Sequence, residues 1–241
     1  MENTGYIALS RQAVLARKLD VIANNLANMT TPSFKAEDMM FVEHLKKTGD
    51  HDRVSLVQDI ALVRNISEGP MSRTNNPLDL AISGDGFFAI ETADGERYTR
   101  NGTFQLNPQG QIVTSQGDRV LGVDGNSITL PLTESAISVA SDGSVSAGET
   151  LIGRLQMVRF ENLQAMEKQS NSLFGSGEQD PLAADGAEIL QGMIEGSNVQ
   201  GIVEVTRMIN TTRSYTAASK LVEQEHERQR KAIQVLASTQ Q

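Results

Sequence analysis

The sequence contains no cysteine and no tryptophan, and aromatic residues make up only 4% of its 241 positions. Without cysteine there is no disulfide, no thiol nucleophile and no thiolate metal ligand. This leaves the compartment open, since exported and cytosolic chains can both lack it. Scarce aromatic rings count against a sugar-binding cleft, which usually stacks its ligand on them. Positive charge is also short: 21 Lys and Arg stand against 30 Asp and Glu, a net charge of −9. No Lys/Arg cluster supplies the basic footprint that a nucleic-acid binder needs. Long hydrophobic runs are missing too. The longest early one, Ala13 to Ala16, is cut off by Arg17 and Lys18. No cleaved secretory signal is visible, and nothing approaches the ~20 apolar residues that would insert into a membrane.

What remains is enough for a folded chain of one or two domains, since hydrophobic residues reach 39%. Three styles of sequence follow one another. Residues 1–32 read as a helix: Leu15, Leu19, Ile22 and Leu26 are spaced four, three and four, and Pro32 ends the run. Residues 33–66 are mixed, with the charged stretch "KKTGDHDR", and read as a connector with room for a short helix. Residues 67–187 read as an all-β domain. Turn signals recur there at Asp94-Gly95, Asn101-Gly102, Gln109-Gly110, Gln116-Gly117, Asp124-Gly125 and Asp142-Gly143, with short strand-like runs between them. Residues 188–241 read as a long C-terminal helix with a capping box at Ser197 and Gln200. Val205, Met208, Thr212, Tyr215, Ser219, Val222, His226, Gln229, Ile233 and Leu236 alternate steps of three and four, the pattern of a coiled-coil seam. The fold expected is therefore a mainly β central domain between N- and C-terminal α-helices that pair as a coiled-coil layer. Whether they pair within one subunit or across subunits stays open.

A search for chemistry returns no catalytic, cofactor-binding or metal constellation. His44, His51 and His226 form no metal-ligand spacing, and exposed histidines are the simpler reading. "SGDGFF" lacks the third glycine of a dinucleotide loop, and the flanking Ala81, Ser83 and Thr92 fail as a calcium loop. Phe87 and Phe88 are adjacent, so on a strand they face opposite ways, one toward the core and one toward a second contact surface.

The end of the first helix, "ANNLANMTTPSFK", places Asn24, Asn25 and Asn28 together, although asparagine is a poor helix-interior residue. Two readings stand side by side. The amides cap a fraying helix end, or they form a polar strip that hydrogen-bonds a neighbouring chain.

The same stretch, "LDVIANNLANMTTPSFK", resembles the N-terminal motif of bacterial flagellar basal-body rod and hook proteins. Residues 76–122, "NPLDLAISGDGFFAIETADGERYTRNGTFQLNPQGQIVTSQGDRVLG", are similar to that family's β-domain signature, and residues 191–222 to its closing helix. The length and the opening residues look most like the proximal-rod branch, with the distal-rod branch as the alternative. The resemblance implies a non-enzymatic structural subunit of a hollow drive shaft that carries torque from motor to hook. It implies export by the flagellar type III apparatus without signal cleavage, assembly in the periplasm, and partners that are copies of the chain and other axial proteins. Carried onto this sequence, its motifs match Asn24, Asn25, Leu26, Asn28, Phe34, Met208 and Tyr215; with the seam positions Leu15, Leu19, Ile22, Val205, Thr212 and Val222 read from spacing, these make up the expected subunit interface. Lys35, Ser197, Asn198, Val199 and Arg213 also match its motifs. One departure stands out: Ser33 replaces a glycine, so the turn after the helix is expected to differ in geometry. A ligand-binding or enzymatic β domain carrying helical oligomerisation arms is the rival of another class. An export chaperone is a third option, against which the large β domain argues.

Overall fold

The computed structural model describes residues 2–48, 52–131, 136–169 and 172–238. These fall into two units: a helical unit made of Met1–Met29, Ala36–Asn65 and Val199–Gln241, and a β unit made of Thr30–Lys35 and Ile66–Asn198.

In the helical unit, α1 (Glu2–Ala27) packs against α2 (Gly201–Ser238), and a hairpin of β1 (Glu37–Thr48) and β2 (Asp52–Arg64) lies along α1. The helices run antiparallel. Asn25 meets Glu204 near one end, the Tyr215 hydroxyl accepts a bond from Gln12 Nε2 at 3.2 Å, and Gly5 faces Glu225. The expected seam exists, but it is turned by a step on α2. The side chains facing inward are Glu204, Met208, Thr211, Tyr215, Ala218, Val222 and Glu225. Met208, Tyr215 and Val222 keep their expected places, whereas Val205, Thr212 and His226 are exposed and their neighbours Glu204, Thr211 and Glu225 turn inward. Thr211 and Ala218 are small enough for close helix approach, and Glu204 finds polar partners.

Two expected boundaries move. Helix α1 stops at Ala27, before Pro32 acts, because Asn28 Nδ2 donates to the Asn24 carbonyl at 2.9 Å and caps the end. Helix α2 starts at Gly201 rather than near residue 188. Its first amides are closed by the Gln200 carbonyl, to which Val203 and Glu204 both donate at 3.0 Å, so Ser197 is not the cap. The stretch 33–66, expected as a connector with room for a short helix, is instead largely the hairpin. Its strands pair from Glu37↔Arg64 to Thr48↔Asp52, with a bulge at Met40/Phe41.

The β unit begins with β3 (Met71–Arg73), β4 (Leu80–Ser83), β5 (Phe87–Thr92), β6 (Gly95–Thr99), β7 (Phe104–Leu106), β8 (Ile112–Thr114) and β9 (Arg119–Val120). It continues with β10 (Ile137–Val139), β11 (Ser144–Ala147), β12 (Thr150–Arg154), β13 (Met157–Arg159), β14 (Glu167–Lys168), β15 (Phe174–Gly175), β16 (Leu182–Ala183), β17 (Glu188–Gln191) and β18 (Met193–Glu195). All the pairings are antiparallel. The largest sheet runs β14-β15-β6-β5-β9-β8-β7, with β13 bridging β5 and β16. The turn signals act as expected at Gly95, Gly110, Gly117, Gly125 and Gly143, all at positive φ. Strand β5 separates two apolar clusters. Phe88 and Ile90 enter one with Phe104, Ile112, Val120 and Leu155. Phe87 and Ala89 enter the other with Tyr98, Val158, Phe160 and Phe174. The second aromatic face, expected as a contact surface, is thus a second core.

Candidate functional site

The chain passes between the two units near residues 30, 35, 66 and 198. Inside the β unit, the segments at these passages are held together around one carboxylate, Glu195, which is 1% exposed. Its Oε1 accepts from Lys35 Nζ at 2.5 Å and from the Gly69 amide at 2.8 Å, and its Oε2 accepts from Arg100 Nε at 2.9 Å. Lys35 also donates to the Ser67 carbonyl at 2.8 Å. Arg100 spreads its remaining donors over the carbonyls of Ile82, Gly84 and Gly86, and its Nη2 lies 3.5 Å from Glu68 Oε1. Backbone bonds complete the cluster: Ser33 donates to the Glu195 carbonyl, Gly196 to Pro70, and Asn198 to Phe34. Gly69 has to be glycine here, since a Cβ would collide with the Gly196 carbonyl.

Burial alone would raise the Glu195 pKa. The Arg100 charge and the Lys35 and Gly69 hydrogen bonds outweigh it, so the carboxyl sits below its ordinary value. Burial pushes the Lys35 ammonium below its ordinary value, against the opposing pull of Glu195. A buried pair of this kind adds little net stability over an apolar core, but losing one partner strands a charge and costs roughly 3–5 kcal/mol.

Ser33 sits in the exit turn after α1. It takes φ +56°, the left-handed conformation a glycine adopts cheaply. Its hydroxyl donates to the Arg100 carbonyl at 2.8 Å and its amide to Glu195, which hold the residue there. The serine therefore bears backbone strain in this turn.

Within the helical unit, Asn25 performs a comparable task. It is 1% exposed, its Nδ2 donates to the Glu37 carbonyl at 2.7 Å, and its Oδ1 accepts the Glu37 amide at 3.0 Å. An amide, with a donor and an acceptor side by side, satisfies both groups from one side chain at any pH. A long bond of 3.5 Å runs on to Glu204 Oε2, and Glu204 Oε1 accepts from Arg207 at 3.0 Å. The three asparagines therefore separate: Asn25 is an internal clamp, Asn28 a helix cap, and Asn24 is exposed.

Of the other residues expected at a subunit interface, Ile22 and Phe34 are buried inside their own units. Phe34 lies under Lys168, whose Nζ is 4.7 Å from the ring centre. Leu15, Leu19, Leu26, Met208, Tyr215 and Val222 are half-buried, and Val205 and Thr212 are exposed. Beside these, an apolar stripe that the heptad reading did not select lies open on α2. Ile202 is 83% exposed and Ile209 48%, while Tyr6 and Leu9 are open on α1. Among the described residues no group of His, Asp and Glu could hold a metal ion. His226 is exposed, whereas His51 and the His44 side chain lie outside what is described. Open grooves of about 370 and 580 Å³ flank Val123, and no set of polar groups converges in them.

Three family profiles match the chain: "Flagella basal body rod protein" over residues 6–35, "Flagellar hook protein FlgE/F/G D1 domain" over 81–147, and "Flagellar basal body rod FlgEFG protein C-terminal" over 190–235. Lys35, Arg100 and Glu195 fall one in each, so the junction is where the three matched regions meet. The flagellar basal-body rod protein FlgF of Caulobacter vibrioides is 40% identical over 241 residues, covering 98% of both chains. FlgF of Mesorhizobium japonicum is 32% identical over 99% of both. FlgG of Bacillus subtilis is 31% identical, covering 90% of this chain and 92% of that protein. By these matches over its whole length, the chain belongs to the flagellar basal-body rod protein family and resembles its FlgF members.

Proposed function

We propose that the chain is a structural, non-enzymatic subunit of the flagellar basal-body rod, of the FlgF or proximal type. It is exported without signal cleavage by the flagellar type III apparatus and assembles in the periplasm with copies of itself and other axial proteins. Its helices join those of neighbours as a coiled-coil layer, and the β unit forms the outer part of the shaft that carries torque to the hook. Within that layer the interface uses Leu15, Leu19, Leu26, Asn24, Val205, Met208, Thr212, Tyr215 and Val222. The internally buried Ile22 and Asn25 shape it from behind, Asn28 fixes the helix end, and Phe34, expected at the interface, is taken up inside the β unit.

The observation that carries this reading is the open stripe of Ile202, Val205 and Ile209 on a helix whose other face is already occupied by α1. Apolar side chains spaced three and four apart on an unshared face fit a second helix. Ile209→Asp places a charge on that stripe and leaves the intrachain seam intact. In the native host it should abolish rod assembly and swimming, while the purified variant keeps its helical circular-dichroism signal. Normal swimming by this variant would overturn the assignment. Complementation of a strain lacking FlgF, and failure to complement one lacking FlgG, decides between the proximal and distal branches.

A further inference from the structure

We infer that the β unit carries a closing lock: it stays open until the last residues of its own sequence arrive, because Glu195 neutralises two cations that the earlier chain has already committed to the interior. The lock goes beyond the assembly role and holds whether or not that role is correct.

Three observations meet here. Glu195 is three residues from the end of the unit, yet its carboxylate binds residues 160, 126 and 95 positions earlier. The two cations it faces, Lys35 and Arg100, are 8% and 7% exposed, and the other carboxylate near them, Glu68, is half open to solvent and reaches Arg100 only at 3.5 Å. The strands flanking Glu195 are also the closing strands. β17 pairs with β4, β18 pairs with β3, and Ile189 of β17 completes the Phe88 core.

Consider a chain delivered N-terminus first, as in synthesis or in any end-on passage through a channel. Residues 30–187 include nearly all of the β unit's apolar residues. If they closed early, Lys35 and Arg100 would be stripped of water with no full counter-charge, a state that buried charges avoid. The Gly69 amide would lack its acceptor as well. Closure is therefore coupled to the arrival of Glu195, when only α2 is still to come. The groups facing the carboxylate from each packed segment are Lys35, Arg100 with Glu68 behind it, and the Gly69 amide.

The test is refolding of the full-length chain with pulsed hydrogen-exchange labelling. In the wild-type protein, amides of β5 and β9 should gain protection in the same phase as Ser33, Gly69 and Gly196. In Glu195→Gln, which keeps the backbone and most of the shape, that phase should slow at least about tenfold. Adding Lys35→Met to Glu195→Gln removes one cation with the anion, and should recover most of the lost rate by leaving Arg100 balanced against Glu68. Protection of β5 and β9 clearly ahead of Gly69 in the wild type would overturn the lock. So would an unchanged rate in Glu195→Gln, or a double variant no faster than the single one. If Glu195→Gln does not fold at all, the double variant still decides: recovery supports charge balance as the cause, and continued failure assigns the effect to shape and refutes the proposal.

Discussion

Asn25→Asp is the most informative single change in the helical unit, because it exchanges a single heavy atom, Nδ2 for oxygen, and predicts a pH signature. The aspartate Oδ1 can still accept the Glu37 amide at the 3.0 Å contact. The opposite oxygen loses the proton that Nδ2 donates to the Glu37 carbonyl at 2.7 Å, leaving two acceptors face to face. An unsatisfied buried carbonyl costs about 1–3 kcal/mol. The new carboxylate also lies where Nδ2 now stands, 3.5 Å from Glu204 Oε2. At that separation and an effective dielectric near 20, repulsion approaches ~5 kcal/mol before side-chain relaxation and the Arg207 charge reduce it. A total loss of roughly 2–5 kcal/mol at neutral pH follows, or a drop of about 1–3 M in the urea midpoint of the helical signal. The sign with pH is fixed. Folding raises the pKa of the introduced carboxyl above its unfolded value near ~3.9, so the loss is absent below that value and grows as pH rises through the folded one. Below it, the protonated oxygen donates to Glu37 again. Asn25→Leu serves as the control, with a loss that does not vary with pH. A penalty for Asn25→Asp that is flat from pH 3 to 8, or under about 1 kcal/mol at pH 7, would refute the clamp.

The other expectations concern the β unit. Since Glu195 titrates below its ordinary value, its stabilising contribution is complete above the usual carboxylate range and is lost as pH falls below about 4. Exchange at the Gly69 amide should accelerate there before exchange in β5 does. Phe87→Ala and Phe88→Ala should each cost about 3–5 kcal/mol by urea titration, because both rings sit in cores; a near-neutral Phe87→Ala would mean its face is open. Ser33→Gly should fall within about 1 kcal/mol of wild type, relief at φ +56° offsetting the lost bond to Arg100, whereas Ser33→Ala should lose about 1–3 kcal/mol by keeping the strain without the bond.

How far the fold could be read from sequence depended on the range of the signal. Local signals carried well. Asp94-Gly95 and Asp142-Gly143 turn where expected because positive φ is a property of the residue itself. Asn101-Gly102 is instructive by contrast: Gly102 is needed because the Leu80 carbonyl occupies the space of a Cβ, and no turn rule reports that. The heptad on α2 was legible in period and held at Met208, Tyr215 and Val222, but was off by one at the alternate positions. Counting favours Val205 over Glu204, but Glu204 has Asn25 and Arg207 to receive it. The hairpin was hidden because a two-stranded ribbon lying on a helix lacks the turn-rich spacing of a sheet protein. The Glu195 junction left no local trace at all, since its members are ordinary charged residues far apart among thirty acidic ones. The usable signal was positional: each lies inside or beside one of three recognisable stretches.

The lack of tryptophan, which first served to exclude functions, gives the β unit its own optical reporter. Of three tyrosines, Tyr6 and Tyr215 belong to the helical unit, so Tyr98 alone speaks for the other. Its ring stands edge-on to Phe160 with centroids 4.8 Å apart. Burial, followed by the nearby Glu96 carboxylate, pushes its phenol up to about 12. A tyrosinate band that emerges late in an alkaline titration therefore records an intact aromatic cluster. The same band emerging early would register its opening, with no label attached to the protein.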